Sequence, residues 1–170
     1  MIGNHVRRWA LVGTLLCAPV AIPGAASAAT TNGTLNVSAT VTANCTVSTN
    51  ALAFGNVNVI GGSNVDGAGS IVVTCTNGTA WTAAAGVGAG TGASFTSRRM
   101  TSGANQLVYN LYTDTARTSV WGDGTGSTDT LGATGTGSAQ TVAVYGRVGS
   151  GQTTVRAGSY ADTVAVTVTY

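Results

Sequence analysis

Asp123 and Asp129 stand in GDGTGSTD, residues 122–129, and a pair of carboxylates is what acid/base hydrolysis requires. Such work needs one carboxyl group shifted by burial or a close charge, and the glycine-rich surroundings offer neither, so both are expected to be solvated loop acids. The same stretch offers oxygen ligands to a hard cation such as calcium, but the calcium-binding repeat works as several copies in register and only one imperfect copy is present. The glycines of GVGAGTG, 86–92, do not have the dinucleotide-binding spacing. Beyond residue 28 the chain has no His and no Lys, which removes the usual serine and cysteine triads, lysine-dependent nucleotide loops and Schiff-base chemistry. Cys45 and Cys75 lack the His partners of a zinc site. Trp81, Tyr109, Tyr112 and Trp121 are of the type that stacks on sugars in lectin-like sites, but aromatics within β runs more often fill the core or pair across strands. Arg98 and Arg99 are adjacent, so a strand sends them to opposite faces, and one of them is expected to pair with an Asp in a structural role. No catalytic residue, metal or cofactor is expected, and the chain reads as a non-enzyme.

The surroundings of these residues explain why so little chemistry is available. Residues 1–28, MIGNHVRRWALVGTLLCAPVAIPGAASA, carry Arg7 and Arg8 before an apolar run and end in small residues, the pattern of a cleavable secretory signal. The run is interrupted by Pro19 and Pro23 and is short for a membrane span, so no stable membrane insertion is expected. Beyond it, five Arg (98, 99, 117, 147, 156) balance five Asp (66, 114, 123, 129, 162), giving a formally neutral exported chain. A sparse, balanced surface gives no electrostatic basis for binding nucleic acid, which needs clustered basic residues. Low net charge permits self-association. Two cysteines in an exported chain are read as a Cys45–Cys75 disulfide.

The remaining length suits one domain, and its Thr, Val, Ala and Gly content points to an all-β sandwich. TLNVSATVTANC, 34–45, alternates strictly, with Leu35, Val37, Ala39 and Val41 on one face. This segment is either the first strand of the chain's own sheet or an arm offered to another molecule. Further strands are expected over 51–59, 70–76, 81–87, 107–113, 141–148 and 163–170, the last with Val164, Val166, Val168 and Tyr170 on one face. The glycine-rich stretch 122–140 reads as an exposed loop.

LAFGNV (52–57), SIVVTCTNGTAW (70–81), RRM (98–100), LVYNLYTDTARTSVWGDG (107–124) and AGSYADTVAVTVTY (157–170) together resemble the spore coat protein U domain family, which includes archaic chaperone-usher pilus subunits. The resemblance spans the whole chain after the signal. It implies an immunoglobulin-like sandwich lacking its last strand, with residues 29–43 as an N-terminal donor-strand extension and 44–170 as the domain. Leu35, Val37, Ala39 and Val41 then become the residues that enter a neighbouring subunit. The terminal strand with Val164, Val166, Val168 and Tyr170 borders the open groove where a periplasmic chaperone docks, and the disulfide maps to Cys45 and Cys75. The implied partners are neighbouring pilin subunits, that chaperone and an outer-membrane usher, and the implied destination is the cell surface. The implied function is a pilin polymerised by donor-strand exchange. The alternatives are a spore or cyst coat protein, or a lectin-like surface adhesin using the aromatics.

Overall fold

The computed structural model describes residues 24–170, so most of the expected signal segment lies outside the described residues. Residues 24–39 are set apart from a compact unit, 40–170, and each is treated by itself. No regular element occupies 24–44, and Leu35, Val37 and Val41 are more than four-fifths exposed. The alternation over 34–44 is therefore not realised as a strand of the chain's own sheet, which begins at Cys45.

The compact unit is all β. Its strands are β1 (Cys45–Asn50), β2 (Val65–Cys75), β3 (Ala80–Ala85), β4 (Arg98–Ser102), β5 (Asn105–Tyr112), β6 (Leu131–Thr134), β7 (Gln140–Val148) and β8 (Val166–Thr169). They form a five-stranded sheet in the order β1-β2-β7-β5-β4 and a three-stranded sheet in the order β6-β3-β8. Every ladder is antiparallel. Alternation aims one set of side chains between the sheets: Ile71, Val73 and Cys75 from β2, Ala83 and Ala85 from β3, Leu107, Tyr109 and Leu111 from β5, with Trp81 and Trp121. Cys45 and Cys75 stand directly opposite at the first rung of the β1–β2 ladder and are bonded to each other.

Several expectations change. Residues 51–59 belong to no strand, although Leu52 and Phe54 and, after a shift of phase at Gly55–Asn56, Val57 and Val59 are half-buried. A strand is defined by a partner, and this segment has left β2 without meeting another. The stretch 122–140 is not simply a loop: it contains β6, because Leu131 is buried and the backbone pairs with β3. β2 begins at Val65, earlier than the apolar run, because it pairs with β7 from Val65↔Val148 onward, and its Gly67 is a floor on which Leu52 and Phe54 rest. A Cβ there would lie 3.0 Å from Leu52 Cδ2 and 3.1 Å from Phe54 Cδ1. β8 covers only Val166–Thr169 of the expected 163–170; Val164, Val166 and Val168 are half-buried with the intervening residues exposed, but Tyr170, expected on the same face, is 55% exposed and lies beyond the strand.

Candidate functional site

The sandwich is open along one side. A groove of about 1210 Å³ runs between the unpaired segment 51–60 and the stretch 155–166 that leads into β8. Its floor is core: Ile71, Leu107, Leu111, Trp121 and Val144 all line it. β8 is an edge strand paired only to β3, so one row of its backbone donors and acceptors has no strand partner. Segment 51–60 forms the opposite wall, with Leu52, Phe54, Val57 and Val59 half-buried. Phe54 meets Tyr109 edge to face at 5.9 Å between ring centroids. Both walls therefore present extended chain to the groove, over a floor of large apolar side chains.

Polar anchors fix the second wall. Ala161 exchanges backbone hydrogen bonds with Thr101 of β4 (2.8 and 3.1 Å), and Gly86 N–H donates to Ala165 O at 2.8 Å. Between these points the chain passes from one sheet to the other, and Asp162 pins the crossing. Its Oδ1 accepts from the N–H groups of Ala89 (2.7 Å) and Thr163 (2.8 Å), and its Oδ2 accepts from the Tyr109 hydroxyl at 2.6 Å. Burial pushes the Tyr109 phenol well above its ordinary value, and the bond to Asp162 adds to that. Gly88, at φ +94°, gives Asp162 its room: a Cβ there would overlap the carboxylate.

Behind this wall lies Arg98, fully buried. It does not pair with an Asp as expected. Its guanidinium donates to the carbonyl oxygens of Gly86 (3.0 and 2.9 Å), Phe95 (3.1 Å) and Trp121 (2.6 Å) and to Asn110 Oδ1 (2.8 Å). The planar fork gathers loop carbonyls that no ladder would satisfy, and its burial lowers its own pKa. Arg99 turns the other way, to Gln106 Oε1 at 2.6 Å.

The other residues singled out fall as follows. Trp81 and Trp121 are buried, and the Trp121 indole donates to Ala83 O at 2.9 Å, so neither offers a sugar-stacking face. Tyr109 is core, and Tyr112 lies half-buried opposite Tyr145. Asp123 and Asp129 are exposed. The Thr125 hydroxyl and N–H hold the Asp123 carboxyl below its usual range, which leaves it ionised and engaged rather than poised for proton transfer. In the groove Tyr109 and Asp162 are bonded to one another, and the floor of large apolar side chains suits the uptake of apolar chain. Sequence reasoning did not find Asp162, whose only signal is a lone acid in an otherwise Ala/Thr/Val run, nor segment 51–60 as a wall.

Among curated proteins no match is found. Among solved structures, the chain is similar to one from the complex of chaperone and tip adhesion subunit (CsuC–CsuE), a pre-assembly complex of the archaic chaperone-usher Csu pili of Acinetobacter baumannii. Identity is 21%, the TM-score is 0.55, and the match covers 77% of this chain. It spans 40% of that chain, so the likeness covers less than half of the other protein. The likeness agrees with an immunoglobulin-like sandwich whose strand set is incomplete. The family model for the Spore Coat Protein U domain matches residues 31–167, nearly the whole described chain, and the protein therefore belongs to the Spore Coat Protein U domain family.

Proposed function

We propose that this protein is a non-enzymatic structural subunit, exported with residues 1–28 as its signal, that polymerises into a surface fibre by donor-strand exchange. In this reading residues 29–43 are the donor extension and 44–170 the acceptor domain. A periplasmic chaperone first fills the groove beside Val164, Val166, Val168 and Tyr170, and an outer-membrane usher directs the exchange. The observation that carries the reading is the open apolar groove between 51–60 and 155–166, which matches in kind the exposed alternating face of Leu35, Val37, Ala39 and Val41. Burying Leu35, Val37 and Val41 would contribute roughly 1.5–3 kcal/mol each, with a backbone ladder in addition. The adhesin alternative loses its support with Trp81 and Trp121 in the core. A coat component remains the second reading, favoured by the family's own description.

The test is a pair of charges on the two faces of the arm. Val37→Asp would place an unpaired carboxylate in the neighbour's core, whereas Thr40→Asp would leave it in solvent. With a cognate chaperone and usher co-expressed, Val37→Asp is expected to abolish fibres while the chaperone-bound monomer stays folded, and Thr40→Asp to leave fibres nearly unchanged. Unfolding of the Val37→Asp monomer would instead make the segment part of its own core.

A further inference from the structure

The position of the disulfide in the chain, rather than its contribution to stability, points to a mechanical role. The donor extension runs covalently through Asn44 into Cys45, the first residue of β1. Cys45 is bonded to Cys75, the last residue of β2, with 30 residues of separation. The loop closed in this way contains all of segment 51–60, which is one wall of the groove. That wall belongs to no ladder, and β1 before it is an edge strand held on one side only. β2, in contrast, is an 11-residue strand paired on both sides, to β1 and to β7.

In a fibre joined by donor strands, tension on a subunit enters through its arm at Asn44 and Cys45. With no bridge, that tension would act on β1 from its end. The six rungs from Cys45↔Cys75 to Asn50↔Ser70 could then open one after another, and the next residues reached would be the wall that grips the following subunit's arm. The bridge sits at the first of those rungs. It transfers tension from Cys45 through the S–S bond into β2 and the middle of the five-stranded sheet. Asn44 reinforces the same point, accepting from Thr76 N–H at 2.9 Å and donating to Thr76 Oγ1 at 3.1 Å.

We propose that the Cys45–Cys75 bridge is a load shunt, which keeps tension on a subunit's own arm out of the 51–60 wall and so prevents a pull on one joint from loosening the next. The inference rests on the strand-exchange reading. It assigns the bridge a function that would be lost on reduction even if the unloaded fold were unchanged.

The experiment holds the secreted chain between its N-terminal end and a single amine introduced in the exposed β6–β7 loop as Ala139→Lys, the chain beyond residue 28 having no other lysine. A dye-labelled synthetic peptide of residues 34–43 occupies the groove. Its residence time is measured with and without tension, first with the bridge closed and then after reduction by a phosphine. The expected result is a residence insensitive to tension with the bridge closed and shortened about tenfold or more under the same tension once it is reduced. Unloaded residence should be equal in the two states. Complete unfolding should lengthen the bridged chain by roughly 100 Å less than the reduced one, since the closed loop stays out of the extension. Equal sensitivity to tension in both states would overturn the proposal, as would a reduction that shortens residence equally with and without load. A peptide that never enters the groove in either state would refute the strand-exchange reading itself, and this inference with it.

Discussion

At the scale of single residues, the groove depends on two polar devices that hold irregular chain in place. Arg98 replaces a set of ladder hydrogen bonds with one guanidinium, joining the backbone at Gly86, Phe95 and Trp121. Arg98→Met would keep the apolar stem and leave those carbonyls buried without donors. The expected cost is about 3 kcal/mol or more, read as a lower urea midpoint at unchanged slope. Tyr109 and Asp162 form the second device. The raised Tyr109 pKa means that its neutral form is favoured in the fold, so its contribution is complete below the unfolded value near pH 10 and is lost as pH rises further. Tyr109→Phe should lower stability by about 1 kcal/mol at neutral pH. It should also flatten the decline above about pH 10 in a denaturation series. Neither device was legible in the sequence beyond the presence of the residues. RRM suggested an Arg–Asp pair, and Arg98 found carbonyls because the loops at 86–97 and 121 come together only in three dimensions.

At the scale of elements, period-two alternation placed most side chains on the correct face without placing every strand. In and just before β8, Val164, Val166 and Val168 turn inward as the pattern requires, while Tyr170 beyond it is exposed. For 51–59 the inward residues change phase between Phe54 and Val57, where Gly55 takes a positive φ, and no strand forms. The converse error is β6, hidden in a glycine-rich stretch where Leu131 is the one strong apolar signal. Glycine in these strands marks close approach by another segment. Gly146 on β7 lies beneath the groove wall, and a Cβ there would lie 2.8 Å from Phe54 Cζ and 2.9 Å from Leu52 Cδ2. Gly146→Val should therefore displace 51–54 while leaving the β2–β7 ladder intact. The expected result is retained far-ultraviolet circular dichroism with at least tenfold weaker binding of the 34–43 peptide, about 1.4 kcal/mol or more. Unchanged affinity would mean that the wall does not grip the peptide.

At the scale of the whole molecule, the low charge shapes both stability and assembly. Asp66 is held below the usual carboxylate range chiefly by its hydrogen bond from Arg147, with Arg117 also close, and Asp114 is lowered by the Ser119 and Thr118 donors around it. A lowered folded pKa stabilises above the unfolded value and is lost as pH falls through the folded one. With no His, Lys or Glu beyond residue 28, stability should be nearly flat from about pH 5 to 9 and fall below about pH 4. Urea midpoints across that range provide the check. Over the same range the neutral surface does little to keep copies apart, which suits the proposed assembly into a fibre. In the strand-exchange reading the gap between 51–60 and β8 is the place of a missing strand, and amide hydrogen exchange on the secreted chain probes both of its walls. With the 34–43 peptide added, protection is expected to rise along both 51–60 and the free edge of β8, while β1 and β4 stay unchanged, and a Val37→Asp peptide should give none of it. Protection absent from both walls, or equal with the Val37→Asp peptide, would contradict it.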